Sequence, residues 1–316
     1  MSNPPTFSAD RCAPTLVIGG GLAGLVTALE LLNAGQPVTL LSRGPASALG
    51  GQALQAFGGM ALVDTPDQRR AGIRDSQALA LADWLSFAQF GDDDHWPRRW
   101  AEHYVERCLP DVYHWLRGLG LRFVPAVQWV ERGLMRPGNS VPRYHVLWGS
   151  SLHMAQTVRA ALLGHARRSL LDLRCEHQVT GLQRNGQGWR CSGQHEDDGR
   201  PFVLDADRVV VAAGGMTGDL ARVRAHWPQD WGPAPTELLN GSQPWADGHL
   251  HDAVQGVGGT VTHLDWMWNY AAGVAHPNPQ FDGHGLSLIP PRSALWLDPQ
   301  GRRIGPRIGE HVRGLS

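Results

Sequence analysis

Lysine does not occur in this chain of 316 residues, so all 28 of its positively charged side chains are arginines. A Walker phosphate-binding loop, a pyridoxal phosphate Schiff base and a catalytic lysine each need a lysine amine, so all three are excluded. Acidic side chains number 29, which leaves a formal net charge of -1. A charge balance this close to neutral indicates neither a nucleic-acid partner nor a basic membrane-binding surface.

Cysteines and long apolar runs are also scarce. Cys12, Cys108, Cys175 and Cys191 form no C-x-x-C pair, which argues against a zinc site or a redox dithiol and favours a reducing compartment. No apolar run is long enough to span a bilayer, and residues 1–14 lack the apolar core of a signal peptide. We therefore expect a soluble, cytoplasmic protein with no membrane span and no metal site.

Residues 15–41 have the pattern of a β-α-β unit that turns on glycines. Apolar runs at 16–18 and 38–41 predict two buried parallel strands, and leucines at helical spacing between them predict a helix that Gly35 ends. A G-x-G-x-x-G motif at this turn lets backbone amides and the positive end of the helix dipole approach a pyrophosphate. A glycine-rich turn without a ligand is the alternative. The residues of the predicted dinucleotide site are Gly19, Gly21, Leu22, Ala23 and Gly24.

The next part of the chain combines a second glycine-rich loop with helices. Two Gly-Gly pairs in residues 50–60 are poorly explained by packing and well explained by a flat or charged ligand against the backbone. The residues after this loop have helical periodicity, and one buried face is predicted to include Trp100, Tyr104, Cys108 and Trp115. We interpret this aromatic face as core rather than as a stacking platform.

The second half of the chain returns to strands. A strand at 171–182 is predicted to enter a β-hairpin, and the acidic cluster at 195–198 is interpreted as a solvated turn rather than a metal site. An apolar strand at 207–213 is followed by two glycines, at the end of an open α/β sheet where ligands bind. Asp247 then precedes a short helix, either as its N-cap or as a cofactor contact.

These elements predict a Rossmann-like, doubly wound α/β domain over residues 12–259. We expect a helical excursion at about 65–163 and an incomplete cap domain at 260–316. Strands 16–18 and 209–211 are expected to be central in one sheet, because the β-α-β unit, the hairpin and the strand that ends in two glycines are all assigned to one parallel sheet.

The motifs jointly resemble a family of flavoproteins. The glycine turn at 19–24, the loop at 50–59, the strand at 209–215 and Trp245-Ala-Asp-Gly248 are similar to those of fumarate reductases, succinate dehydrogenase flavoprotein subunits and 3-ketosteroid Δ1-dehydrogenases. The block at 50–148 looks closest to bacterial FAD-binding dehydrogenases. The resemblance implies FAD as cofactor. It also implies that FAD is bound non-covalently, because no histidine occupies the loop in which membrane-bound relatives link the flavin.

Carried over by position, the resemblance implies contacts along the whole cofactor. The pyrophosphate would be cradled by Gly19, Gly21 and Gly24. The ribityl chain would be followed by Gly50, Gly51, Gln52, Gly58 and Gly59. The ADP half would meet the backbone of Val179 and then Ala213 and Gly214, with Asp247 at the rim of the site.

The chain departs from the family at two places. The acid that normally ends the second strand and binds the adenosine ribose is replaced by Ser42, followed by Arg43. Both are candidate cofactor-binding residues, and Arg43 is expected to be tolerated beside a glutamate at position 42 because it can turn outward to solvent. A serine cannot chelate two hydroxyls as a carboxylate does, and the pair leaves a 2′-phosphate pocket for NADP as an alternative. Relatives also continue well past the position of Ile304, so the chain is expected to be a truncated or frame-shifted member.

The resemblance implies an FAD-dependent oxidoreductase that moves a hydride and a proton across a carbon–carbon bond next to a carbonyl of a small molecule. Candidate proton-transfer groups are Tyr144, His145 and Tyr270, although a tyrosine pKa near 10 would need lowering and each side chain also has an ordinary packing role. A non-catalytic flavoprotein remnant and an NAD(P)-dependent dehydrogenase are the alternatives. The sequence does not indicate an oligomeric state.

Overall fold

The computed structural model describes residues 12–130, 137–270, 273–288, 297–298 and 300–303. Its strands are β1 (Thr15–Ile18), β2 (Val38–Leu41), β3 (Gly59–Ala61), β4 (Tyr144–Val146), β5 (Leu171–Arg174), β6 (His177–Asn185), β7 (Gly188–His195), β8 (Pro201–Ala206), β9 (Arg208–Val211), β10 (Gly273–Ala275) and β11 (Gly285–Ser287). Its helices are α1 (Leu22–Asn33), α2 (Pro66–Arg70), α3 (Gln77–Ala88), α4 (His95–Arg107), α5 (Trp115–Gly118), α6 (Ser150–Leu163), α7 (Leu220–Ala225) and α8 (His249–Gly256), and a π-helical turn, Cys108–His114, joins α4 to α5. The residues that the structure describes within 12–55 and 155–288 form one compact unit, and those that it describes within 56–154 and 297–303 form a second.

A four-stranded parallel sheet in the order β5-β2-β1-β9 organises the first unit. β1 and β2 are buried at every position, as their apolar runs predict. β1 pairs in register with β2 on one side and β9 on the other, which confirms the predicted α/β class. The expectation that β9 is central is wrong for the described strands. β9 lies at the edge of the sheet and is partly exposed, because only β1 pairs with it there.

Helix α1 packs through one apolar face. Leu25, Ala28, Leu29 and Leu32 are buried at spacings of three and four residues, so they form a single stripe along the helix. Burying a leucine side chain contributes roughly 1.5–3 kcal/mol. Gly35 adopts φ 72°, and its N–H donates to the carbonyl of Leu32 at 2.9 Å, which confirms the predicted end of the helix.

An antiparallel sheet in the order β6-β7-β8 shares a core with the parallel sheet. The shared cluster consists of Leu16, Ile18, Leu41, Val179, Leu182, Cys191, Leu204, Ala206 and Leu250. The prediction of one strand over 171–182 is wrong, because the chain turns at Glu176, whose φ is 59°. That left-handed residue separates β5, which joins the parallel sheet, from β6, which begins the hairpin.

The second unit contains α2 to α5 and the small antiparallel sheet of β3 and β4. The predicted buried face is wrong at Trp100, which is 68% exposed. α4 instead buries Ala101 and Val105, one helical turn apart, and Trp100 lies about 100° around the helix from Ala101. The π-helical turn then shifts the buried face by a residue, so that Tyr113 and Leu116 are buried in place of Trp115.

Candidate cofactor site

The turn after β1 leaves open space at the N-terminus of α1. Gly19 has φ 121°, and a Cβ on it would overlap the carbonyl of Ala212. Gly21 caps α1 with φ -74° and ψ -179°, and a Cβ on it would meet no atom of the described residues within 4 Å. Gly19 is therefore fixed by packing against the strand end, whereas Gly21 faces a space that a ligand can enter. The free N–H groups of a helix N-terminus suit an anionic group at that position.

Gly24 has a different role in the same motif. A Cβ on Gly24 would overlap the carbonyl oxygen of Gly19 and lie 3.5 Å from Leu40 Cδ1. The third glycine therefore lets α1 lie close against the end of β1, as the motif predicts.

The first Gly-Gly pair of the second loop lies against this turn. The N–H of Gly50 donates to the carbonyl of Gly20 at 2.8 Å, and a Cβ on Gly51 would lie 3.0 Å from Gly21 Cα. Gln52 follows, with its side-chain amide 3.4 Å from the carbonyl of Gly241. Two glycine-rich segments that are distant in sequence thus form one cradle within the first unit.

The second Gly-Gly pair belongs to the second unit and is explained by packing there. A Cβ on Gly58 would lie 2.5 Å from the backbone nitrogen of Ser151, and one on Gly59 would overlap the phenol of Tyr144. The interpretation that packing explains these glycines poorly is therefore wrong, because close backbone and ring contacts require both. A role for Gly58 and Gly59 along the ribityl chain stays a prediction.

Ser42 and Arg43 follow β2 and differ in their surroundings. Ser42 is 5% exposed, and a Cβ on Gly20 would overlap its hydroxyl oxygen. Arg43 forms ion pairs with Glu196 and with Asp247, the latter at 2.5 Å. Two carboxylates thus hold the guanidinium of Arg43, which does not turn outward to solvent. Contacts of Ser42 and Arg43 with a cofactor stay predictions. Glu196 lies in the turn interpreted only as solvated, so sequence reasoning missed its contact with Arg43.

The remaining predicted ADP-side residues lie in the first unit. Val179 is buried in the shared core. The N–H of Ala212 extends the pairing of β9 with β1, and Ala213 and Gly214 follow directly. The carbonyl of Gly214 lies 3.2 Å from His251 Nε2. Asp247 accepts from the N–H of His249 at 3.0 Å, so it also serves the start of α8. Their contacts with a cofactor stay predictions.

The three predicted proton-transfer residues have different environments. His145 is fully buried, with Nε2 2.7 Å from Thr65 Oγ1 and Nδ1 2.7 Å from the carbonyl of Arg143. Burial lowers the pKa of His145, which favours its neutral form. Tyr144 is half-buried and stacks on Phe57 with ring centroids 6.5 Å apart. Tyr270 is 42% exposed. The structure therefore gives His145 a structural position and leaves the two phenols more accessible.

A buried ion-pair network next to His145 was missed by sequence reasoning. Arg143 is 2% exposed and donates to Asp75 at 2.8 Å and to Asp83 at 2.6 Å. The backbone N–H and hydroxyl of Ser140 also donate to Asp83, each at 2.8 Å. Burial acts to raise the pKa of Asp83, but these hydrogen bonds together hold it below its usual value. No sequence spacing predicts these contacts, because they join Asp75 and α3 to a segment that is distant in the sequence.

The comparisons with known proteins agree with this geometry. The family model for the FAD binding domain matches residues 15–312. The chain belongs to this FAD-binding family. A KsdD-like steroid dehydrogenase of Mycolicibacterium smegmatis is 36% identical over 319 residues, which cover 92% of this chain and 56% of the relative. The chain spans about half the length of the curated relatives it matches.

Solved structures share the fold of this FAD-binding chain. The 3-ketosteroid-Δ4-(5α)-dehydrogenase of Rhodococcus jostii RHA1 superposes with a TM-score of 0.64 at 21% identity, covering 84% of this chain and 57% of that chain. A flavocytochrome c3 fumarate reductase gives 0.65 at 23% identity, with 82% and 42% covered. The predicted family and the predicted cofactor, FAD, are confirmed. Within the residues that the structure describes, no helix has the length and apolarity needed to cross a membrane.

Proposed function

We propose that this FAD-binding chain is an oxidoreductase that acts on a carbon–carbon bond next to a carbonyl group of a small molecule. The observation that carries the proposal is the open space beside Gly21 at the N-terminus of α1, where the segment of Gly50 and Gly51 lies against the glycine turn. A backbone cradle of this kind suits a pyrophosphate, and membership of an FAD-binding family supports FAD as the nucleotide bound by it. The name of the Mycolicibacterium relative makes a steroid the first substrate to test, and the proposed reaction requires one that carries a carbonyl group.

In this proposal the chain contributes binding, orientation and a proton-transfer group. FAD, when bound, supplies a hydride acceptor or donor. The N–H groups at the start of α1 hold the pyrophosphate, and Gly50, Gly51 and Gln52 continue the cradle toward the flavin. We propose that the flavin is held without a covalent bond, because no histidine lies between Arg43 and Asp64.

Proton transfer is proposed for a phenol, either Tyr144 or Tyr270. His145 is not proposed for this step, since Thr65 and the carbonyl of Arg143 already engage both of its ring nitrogens. Its buried position supports a role in ordering β4, on which Tyr144 lies. Replacing each tyrosine by phenylalanine tests the choice, because the proton-transfer residue loses turnover while flavin content is retained.

An NADP-dependent dehydrogenase is less well supported. An arginine can accommodate a 2′-phosphate, but Arg43 is already paired with two carboxylates, and a further phosphate would meet their negative charge.

The proposal also includes the predicted domain boundary between residues 259 and 260. It includes a cytoplasmic location as well.

The test begins with the colour of the purified chain. A yellow protein whose flavin is released by acid and identified as FAD supports non-covalent FAD binding. Anaerobic bleaching of that flavin by a saturated 3-ketosteroid, in wild type but not in one tyrosine variant, supports the dehydrogenase activity. A yellow protein that no carbonyl compound bleaches or reoxidises favours the non-catalytic alternative. A colourless protein that binds NADPH overturns the proposal.

A further inference from the structure

The end of β2 lacks the carboxylate that such a nucleotide site uses. In dinucleotide sites of this type an acid there hydrogen-bonds the ribose hydroxyls. Here the position is Ser42, whose N–H donates to Arg174 and whose carbonyl accepts from His177. Its hydroxyl faces the glycine turn at Gly20, and the residue is almost fully buried. The serine is held in place on both sides and offers no charge to a ribose.

The next residue gathers two carboxylates from distant segments. Arg43 Nε pairs with Glu196, in the turn between β7 and β8, and Arg43 Nη1 pairs with Asp247, just before α8. The three side chains are 28%, 30% and 20% exposed, so solvent screens them less than it screens a surface pair. Three segments of the first unit therefore place charged side chains next to position 42, where the usual carboxylate is absent.

The two carboxylates differ in their remaining capacity to accept hydrogen bonds. Asp247 uses one oxygen for Arg43 and the other for the N–H of His249. Glu196 uses Oε1 for Arg43, and among the described residues its Oε2 has no partner. Glu196 is therefore the carboxylate with an oxygen left for a ligand.

Backbone hydrogen bonds fix Glu196 relative to the end of β2. The N–H of Glu196 donates to the carbonyl of Glu176 at 2.9 Å. The next residue, His177, donates its N–H to the carbonyl of Ser42 at 3.0 Å. Residues 176 and 177 thus hydrogen-bond to both the hairpin turn and the end of β2, and these bonds fix the position of Glu196 near Ser42.

We propose that Glu196, positioned by Arg43, binds the adenosine ribose of FAD in place of the acid absent at residue 42. With Asp247 the cluster holds two carboxylates and one guanidinium, so it carries one surplus negative charge. That charge disfavours a 2′-phosphate, so the same three side chains select an unphosphorylated ribose. The inference rests on FAD binding by the chain and not on the reaction proposed above.

The experiment measures nucleotide affinity in place of turnover. FAD is titrated into apoprotein by flavin fluorescence, and 5′-ADP, which carries only the adenosine half, is measured by displacement. Glu196→Gln is expected to weaken FAD and 5′-ADP by the same factor, about tenfold or more, since a charge-assisted hydrogen bond is lost. Adding Ser42→Glu to that variant is expected to restore both affinities, because it returns a carboxylate to the end of β2.

The matched control is Asp205→Asn, which breaks an exposed arginine–carboxylate pair with Arg190 in the same antiparallel sheet and should leave both affinities unchanged. Wild type is also expected to prefer 5′-ADP over 2′,5′-ADP. The proposal is overturned if Glu196→Gln keeps both affinities within twofold of wild type, or if FAD weakens without 5′-ADP. It is equally overturned if Ser42→Glu fails to restore binding in a variant whose apoprotein melts as wild type does.

Discussion

Gly21 and Gly24 belong to one motif, but alanine at each position should have separable effects. Gly21 has backbone angles that alanine adopts without strain, and its Cβ would meet no described atom within 4 Å. Gly24→Ala instead drives a methyl group into the carbonyl oxygen of Gly19. A backbone carbonyl cannot rotate away as the end of a side chain can, so the helix or the strand end must shift.

The expected magnitudes follow from these contacts. Overpacking of the kind that Gly24→Ala creates costs about 1–3 kcal/mol, which exceeds or cancels the roughly 1 kcal/mol that alanine gains in a helix interior. We expect Gly24→Ala to lower the Tm of the apoprotein by several degrees. We expect Gly21→Ala to leave that Tm unchanged or slightly raised, because alanine reduces the freedom of the unfolded chain.

Cofactor affinity should fall in both variants. In Gly21→Ala the methyl group occupies the space in front of the helix N-terminus and keeps the pyrophosphate from the backbone. Loss of one charge-assisted hydrogen bond, about 1.5–3 kcal/mol, corresponds to roughly ten- to hundredfold weaker binding. Gly24→Ala should weaken FAD as well, through displacement of the turn.

The assay pairs the Tm of apoprotein with FAD titration for wild type and both variants. Gly256→Ala is the matched control, because Gly256 ends α8 and a Cβ on it meets no described atom within 4 Å. It should leave FAD affinity unchanged and, like Gly21→Ala, leave the Tm unchanged or slightly raised. Wild-type FAD affinity in Gly21→Ala, or an apoprotein Tm lowered as much by Gly21→Ala as by Gly24→Ala, would refute the assignment of this space to the pyrophosphate.

Three further predictions concern buried or half-buried groups. Arg143→Met leaves the buried carboxylates of Asp75 and Asp83 without their cation and should cost about 3–5 kcal/mol, measured by urea unfolding; a cost below 1 kcal/mol would contradict the network. Burial acts to raise the pKa of Asp83, but hydrogen bonds from Ser140 and Arg143 hold it below its usual value. Ionised Asp83 therefore stabilises the folded protein above the ordinary aspartate pKa, and this contribution is lost as pH falls through the lowered pKa. Asp83→Asn should accordingly flatten the acid limb of a Tm–pH profile, and an unchanged limb would count against it. Burial raises the pKa of the Cys12 thiol to about 11, so iodoacetamide should label Cys12 slowly at neutral pH in the folded protein and faster after unfolding.

The β-α-β unit could be predicted from the sequence because its signals are local. The apolar runs of β1 and β2, the leucine spacing of α1 and the terminal Gly35 each depend on residues a few positions apart. Hydrogen bonds within a helix and backbone angles at a glycine are short-range, so the sequence pattern reports them directly. The glycine motif and the resemblance together also identified the family and its cofactor.

Some errors arose where one local irregularity changed the geometry. The π-helical turn at Cys108–His114 moved the buried face away from Trp115, and the left-handed Glu176 divided a predicted strand. Neither feature has a distinct pattern in the sequence. Gly58 and Gly59 are required by packing against Ser151 and Tyr144, which are nearly a hundred positions away in the sequence. Because that packing is not visible in the local pattern, the two glycines were interpreted as ligand contacts.

The sequence by itself determined the parallel α/β fold and the backbone cradle for a nucleotide, because short-range periodicity and glycine spacing specify both. Only the tertiary structure decided which side chains surround the end of β2. Arg43, Glu196 and Asp247 meet there because the strand order and the antiparallel hairpin bring three distant segments together. Long-range contacts of this kind depend on how helices and strands pack together. The residue pattern within one element does not specify which other elements lie next to it.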